Sequence, residues 1–327
     1  MSADTLHLLV AEAMLAPSVH NVQPARWRLV GDDTIDLFED VRARLTVGDP
    51  RCNDAGVSLG AAAEGLRLAA SWRGLGLEPR EAPPQTDDAL LPIARYLLVP
   101  TDTHPDPLAD QVEARASWRG DFTVVNTADR ENAQRLIDTD SAVVTDSQSL
   151  IEASRIFDAA SYGFLRDRAF RDELRAWMRF TRRHRRWDRD GLNAAAMALG
   201  RVEAIGASVV LGPAFGILDR IGIAPGLLAE GKKVAAAAAL VVFHRPVAET
   251  PFDSGAHFYR LWLRVEAAGF GAAVLAALAD DPAAAQRIAQ MAGVPSGHRI
   301  VSAFRIGRRP AGATVPRARR RLAEILV

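Results

Sequence analysis

The sequence predicts an α+β protein made of two related half-domains fused in one chain. Three observations lead there: an internal repeat, an apolar strand after each copy, and a proline-rich break between the copies. Gly60, Leu66, Leu68, Gly74 and Gly76 recur without a gap as Gly255, Leu261, Leu263, Gly269 and Gly271, an offset of 195 residues. Self-similarity of only two copies at so long a period points to duplication rather than a solenoid. The apolar runs Ile93 to Val99 and Ile300 to Ile306 read as the strands that follow each copy. The segment Pro100-Thr-Asp-Thr-His-Pro-Asp-Pro107 blocks regular hydrogen bonding and divides the chain into halves 1–107 and 108–327.

Taken in order, Leu6 to Leu15 has the spacing of an amphipathic helix, and Trp27 to Val30 reads as a strand. Between them Ala16-Pro-Ser-Val-His-Asn-Val-Gln-Pro24 forms a polar turn punctuated by prolines. Residues 58–76 read as a buried helix closed by a Gly-x-Gly stop. Leu108 to Arg115 opens the second half. Helices are expected over Ala128 to Thr139, Ser147 to Tyr162, Phe170 to Arg182 and Ser254 to Ala268. A helix around Leu227 to Lys233 precedes the strand Ala238 to Phe243.

With 327 residues, 49% of them hydrophobic, the chain can bury a substantial core. Forty basic residues balance forty acidic ones, so no global field favours nucleic acid or a membrane surface. A single cysteine, Cys52, excludes an intramolecular disulfide and any multi-cysteine metal site, and suits a reducing cytoplasm. The first residues lack the order of a secretory signal, and no apolar run is long enough to span a bilayer. The expectation is a soluble cytoplasmic protein, without membrane or nucleic-acid partners.

Arg179 to Arg189 is the most basic window. It reads first as a solvated helix end leading into a mobile loop, second as a site for an anionic cofactor or substrate, and third as a nucleic-acid contact. The stretch 179–206 is long enough to lie as a lid across a pocket. No His/Asp/Glu cluster has metal-ligand spacing, and no acyl-transfer or nucleotide-hydrolysis motif is present.

Two stretches carry the chemistry. In the turn, Pro17, Ser18, Asn21 and Gln23 can face a planar heteroaromatic ring. Arg115-x-Ser117-x-Arg119 puts two guanidiniums and a hydroxyl on alternate residues, where they can bind a phosphate or pyrimidine carbonyls. His20 reads as a structural residue bonded to a turn carbonyl, with substrate protonation the alternative. His257 reads as packing.

These residues, with Leu240-Val-Val-Phe243, Phe304-Arg-Ile-Gly-Arg308 and the basic run Arg317 to Arg321, resemble the nitroreductase-like FMN flavoprotein superfamily. The closer resemblance is to its Acg-type branch, in which two half-folds are fused as a pseudo-dimer. That resemblance covers nearly the whole chain. It implies a nitroreductase-like fold with FMN held between the halves, most of the site coming from the second. It implies that Arg115, Ser117 and Arg119 hold the flavin pyrimidine, ribityl chain and phosphate, and that Pro17, Ser18, Asn21 and Gln23 line it. It assigns Lys233 to the family lysine, Arg319 and Arg320 to the phosphate, and Gly269 and Gly271 to close backbone approach. The chain departs from the family at Ala25, where a tryptophan is common, and at Ala116, where a second arginine is common.

The resemblance implies an FMN-dependent oxidoreductase in which NADH or NADPH reduces the flavin and a nitroaromatic or quinone reoxidises it by a ping-pong cycle. Flavin-dependent oxidation of a small metabolite is the reverse variant. The alternative is a protein that sequesters FMN with little turnover, and a third reading is a flavin-free interaction protein. The pseudo-dimer can act as a monomer.

Overall fold

The computed structural model describes residues 3–327. Helix α1 (Ala3–Ala13) leads through the polar turn into the hairpin of β1 (Ala25–Val30) and β2 (Thr34–Asp40). Helix α2 (Asn53–Ser71), β3 (Leu75–Arg80) and β4 (Leu90–Pro100) complete an antiparallel sheet in the order β1-β2-β4-β3. Alternation along β2 sends its residues to two environments. Ile35 and Leu37 join the core with Leu6 and Leu66, whereas Asp36 accepts from the Arg95 guanidinium at 2.6 and 2.9 Å.

After the proline-rich segment come α3 (Thr127–Gln134), β5 (Ser141–Val144), α4 (Ser147–Arg166) and α5 (Arg168–Trp177). A short parallel pair, β6 (Met178–Arg179) and β7 (Leu192–Asn193), follows. Next are α6 (Arg201–Val210), α7 (Phe215–Arg220), α8 (Ala224–Leu228) and α9 (Gly231–Ala235). The chain then runs through β8 (Ala239–Pro246), α10 (Pro251–Ala267), β9 (Gly271–Val274), α11 (Ala277–Asp280), α12 (Pro282–Ala292) and β10 (His298–Gly307) to α13 (Leu322–Ile325). The second sheet has the order β5-β8-β10-β9. Counted within each half, both sheets therefore run first, second, fourth, third, with the long helix between the second and third strands. Strand β8 is apolar at every position from Ala239 to Phe243 because both its faces are covered. Val241 and Phe243 pack with Phe258 and Phe304, and Leu240 and Val242 pack with Leu150 and Ile288.

The repeated residues have matching positions. Helices α2 and α10 touch where Gly60 meets Gly255: a Cβ on Gly60 would lie 1.8 Å from the Phe252 carbonyl oxygen, and one on Gly255 would lie 2.3 Å from that of Val57. Leu66, Leu68, Leu261 and Leu263 are fully buried. Gly74 and Gly269 hold φ of +65° and +77° in the turns after the two helices, a region that costs glycine little. Gly76 lies in β3 and Gly271 opens β9.

Several boundaries differ from the sequence expectation. Helix α2 starts at Asn53 rather than Ser58 and stops at Ser71, ahead of the glycines. Helix α5 ends at Trp177 because Met178 and Arg179 turn extended to pair with β7. The helix expected around Leu227 to Lys233 is two short ones, broken where Ala229 is extended. The C-terminal segment packs on the first sheet although its sequence belongs to the second half: Ile325 sits in the first core, and Val327 N donates to Trp27 O at 2.9 Å. Among the described residues no helix is long and apolar enough to cross a membrane.

Asp106 joins the two central helices, accepting from Arg67 of α2 at 2.6 Å and Arg260 of α10 at 2.7 Å. Burial alone would raise its carboxyl, but the hydrogen bonds from Arg260 and Arg67 outweigh it and bring the value down to about 2. A depressed carboxylate stabilises the fold above its ordinary value and loses that contribution as pH falls through the folded one. Tm is expected to fall as pH drops from about 4 to about 2, and Asp106→Asn should flatten that part of the profile in thermal melts.

Candidate functional site

A cavity of about 430 Å³ is bordered by the polar turn, the start of α2, α10, the 115–119 segment, helices α4 and α5, residues 191–196 and the C-terminal segment 315–319. Its size suits a cofactor or small ligand. The polar turn holds three non-glycine residues in the left-handed region, His20 at φ +43°, Asn21 at +55° and Gln23 at +54°. Each such residue costs on the order of 1 kcal/mol and persists only where its surroundings over-determine it. Here they do. Ser18 Oγ accepts from Gln23 N at 3.0 Å, Ser58 Oγ accepts from Val19 N at 3.1 Å, and Asn21 Nδ2 donates to the carbonyls of Gly191 and Ala318, both at 3.2 Å.

Four guanidiniums border the cavity with no carboxylate in ion-pair range among the described residues: Arg115, Arg119, Arg317 and Arg319. The 115–119 segment is extended, and Ser117 bridges Ala272 at the edge of the second sheet. Arg115 Nη2 donates to Leu15 O at 2.6 Å, and its guanidinium lies 4.8 Å from the Trp262 ring centroid. Arg319 donates to Asn21 Oδ1 and Leu15 O, both at 2.9 Å, and Arg317 to the carbonyls of Glu113 and Arg115, both at 2.8 Å. Arg119 reaches only Ala196 O, at 3.5 Å. Burial lowers all four from the ordinary arginine value; Arg319 is pushed down to about 9 by burial and by the adjacent Arg115 and Arg317. Arginine keeps its proton in proteins, so the strain is electrostatic, and an anion in the cavity relieves it. The buried Nε atoms of Arg115 and Arg319 have no partner within the protein, and the Tyr259 hydroxyl faces the Arg115 guanidinium.

Of the residues singled out from sequence, Pro17, Ser18, His20, Asn21, Arg115, Ser117, Arg119 and Arg319 border this cavity. Gln23, Lys233, Gly269, Gly271 and Arg320 do not. Gln23 bonds Arg189 O at 2.7 Å and accepts from Arg320 N at 3.0 Å, tying the turn to the chain behind it. Lys233 Nζ pairs with Glu230 at 2.9 Å. Gly269 sits under Arg308, whose Nη1 would be 2.4 Å from an added Cβ, and Gly271 faces Arg309 and Trp118. His20 Nδ1 has no partner instead of the expected turn carbonyl. Burial, followed by the nearby Arg119, pushes His20 down to about 4, so its ring is neutral at pH 7.

The basic window is in part solvated, with residues 181–185 exposed, and in part a buttress. Asp190 accepts from Arg179 at 2.8 Å, Arg186 at 2.9 Å and Arg320 at 3.1 Å, and is itself buried. This fixes Gly191, Leu192 and Ala196 as a wall of the cavity.

Sequence reading missed Asp54, Asp280, Phe258, Trp262, Phe157 and Phe164 of α4 and Phe170 of α5, all of which border the cavity. No local pattern marks them, since they are ordinary helix residues gathered from distant parts of the chain. Arg317 is only one of four clustered arginines, Arg317, Arg319, Arg320 and Arg321.

No family model and no curated protein matches the chain. Among solved structures it is similar to a putative nitroreductase from Anabaena variabilis, at 8% identity over 94% of this chain and 88% of that one, with a TM-score of 0.47. It is similar to the FMN-dependent nitroreductase NfnB of Mycobacterium smegmatis, solved with NADPH, at 17% identity over 66% and 96%, with a TM-score of 0.37. A nitroreductase with bound FMN from Bacteroides fragilis aligns at 13% identity over 64% and 92%, with a TM-score of 0.35. At these scores the likeness bears on neither the ligand nor the activity of this chain, which rest on the cavity itself.

Proposed function

We propose that the protein is an FMN-dependent oxidoreductase built as a fused nitroreductase-like pseudo-dimer, with one flavin site in the arginine-lined cavity. The observation that carries this reading is the set of four arginines without carboxylates beside an aromatic wall. The fit of the group is chemical. Arg115, Arg119, Arg317 and Arg319 supply cations for a phosphate and for the pyrimidine edge, Ser117 and Asn21 supply polar groups, and Trp262 and Phe258 supply apolar surface. Lys233, held by Glu230, gives way to Arg115 at the pyrimidine. The bound flavin supplies hydride chemistry; the protein orients it and tunes it electrostatically. Neutral His20 accepts a hydrogen bond from substrate or holds a water there. The equal strand orders and matched glycines support the pseudo-dimer.

NADH or NADPH is the proposed reductant and an electron-poor nitroaromatic or quinone the acceptor, with oxidation of a small metabolite as the reverse use of the same site. The Asp190 buttress favours a second reading, FMN sequestered behind a fixed wall with little turnover. Anaerobic addition of NADH, then NADPH, to the FMN complex separates them. Loss of the oxidised flavin absorbance supports the oxidoreductase; bound flavin that neither nicotinamide reduces supports sequestration.

Arg119→Leu gives a sharper test of the site. Removing a desolvated charge with one long hydrogen bond should raise the Tm of the ligand-free protein. The same change should weaken FMN binding by about 10- to 100-fold, the value of one charge-assisted contact. A variant that loses stability and keeps FMN affinity would place Arg119 in the scaffold instead.

A further inference from the structure

The cavity has a second electrostatic pole. Elsewhere in the protein, buried carboxylates have guanidinium partners: Asp36 with Arg95, Glu39 with Arg44, Asp40 with Arg26, Glu64 with Arg67 and Arg260, Asp190 with Arg179, and Glu266 with Arg309. Asp49 is buried without one, but accepts backbone N–H groups from Asn53 at 2.8 Å and Ala55 at 2.9 Å. Asp54, half-buried in the first turn of α2, and Asp280, exposed at the end of α11, differ from all of these. Both border the cavity, and among the described residues neither carboxylate has a cationic or hydrogen-bonding partner. Glu230, the other acid on the wall, has Lys233.

The same cavity also has an apolar wall. Phe157 and Phe164 of α4, Phe170 and Leu174 of α5, and Leu45 border the same space. Desolvation, then mutual repulsion and the field of Asp49, raises Asp54, and desolvation with Asp49 raises Asp280 to about 7. Two neighbouring carboxyls resist ionising together, and a positive charge near both relieves that repulsion. Aromatic side chains lining the same cavity add attraction for an organic cation. The arginine pole and the carboxylate pole thus ask for opposite ligands.

We propose that Asp54 and Asp280 form a cation subsite of the cavity, selecting second substrates that carry a protonated amine on an aromatic or apolar body. The inference rests on the reading that the flavin occupies the arginine side. It specifies which electron donors or acceptors enter beside it: arylalkylamines and related organic cations, in preference to carboxylate-bearing analogues of the same body.

The test uses the FMN-loaded protein and three matched probes, 2-phenylethylamine, 2-phenylethanol and 3-phenylpropionate, titrated calorimetrically at about pH 8, above the Asp280 value of about 7. The amine is expected to bind about tenfold or more tightly than the alcohol, equivalent to about 1.4 kcal/mol, with the carboxylate weakest. Asp54→Asn with Asp280→Asn should bring the amine down to the level of the alcohol while FMN absorbance and Tm are retained; Asp280→Asn alone gives part of that loss if the double variant does not fold. Equal or tighter binding of the carboxylate, no binding of any probe, or an amine preference that survives in the variants overturns the inference. Absorbance titration with FMN on the same preparations reads the flavin site separately. Failure to bind FMN with the amine preference intact counts against the flavin reading and leaves the cation subsite standing.

Discussion

Gly60→Val is expected to prevent stable folding, or to lower stability by about 3 kcal/mol or more. The added Cβ would fall 1.8 Å from the Phe252 carbonyl oxygen and 2.8 Å from its carbon, and these are backbone atoms of α10 that cannot rotate away. Relief requires the two helices to separate. That would open the first core, where Leu59, Leu66 and Leu68 of α2 pack with Tyr259 and Leu263 of α10. It would also pull apart two walls of the cavity, since α2 brings Val57 and Ser58 and α10 brings Phe258 and Trp262. Against a typical total stability of about 5–15 kcal/mol, such a loss is decisive. Gly163→Ala is the control: on α4 an added Cβ meets nothing within 4 Å, so the better helix former should stabilise by up to about 1 kcal/mol. Urea unfolding of the two variants measures both effects.

Asp190→Ala is expected to cost about 3–5 kcal/mol, because removing one partner of a buried ion pair leaves the other charge uncompensated. Arg179 suffers most, its side chain being only 4% exposed, whereas Arg186 at 43% can reach water. The loss is local in origin. Gly191 N donates to Asn21 O at 3.1 Å and Arg319 N to Asp188 O at 3.0 Å, so loosening the 186–193 segment releases both the strained turn and the C-terminal arginines. Limited proteolysis should cut this segment before global unfolding, and ligand affinity at the cavity should fall with it. Unchanged stability and protease resistance would mean that the three arginines are held by other contacts.

The elements that sequence made legible are those whose pattern is local. Strand β8 announces itself as five consecutive apolar residues, since both faces are buried. The repeat was visible because the same close helix contact and the same left-handed turns demand glycine at Gly60, Gly74 and their partners. Strand β2 was hidden, because Asp36, Glu39 and Asp40 are buried there by pairing with arginines supplied from Arg26, Arg44 and Arg95. Polar residues in a strand look like a loop until those partners are known.

The site divides the same way. Arg115, Ser117 and Arg119 stand on alternate residues, and the turn is marked by its prolines; both stretches border the cavity. Lys233 and Gly269 rest on the resemblance alone: Lys233 pairs with Glu230 of the cavity wall, and Gly269 packs under Arg308. The role of Asp190 lay beyond any sequence window, since it joins Arg179 and Arg186 to Arg320 near the end of the chain. The carboxylates Asp54 and Asp280 come together only through the fold.

The most direct measurement of the central claim is a comparison of FMN with riboflavin, which lacks the phosphate, by fluorescence titration of the ligand-free protein. Four arginines without carboxylates predict one FMN per chain, bound about 100-fold or more tightly than riboflavin, with an advantage that shrinks as salt rises. Equal affinity for the two ligands, or no binding of FMN, would contradict the assignment of the arginine-lined cavity as a flavin phosphate site.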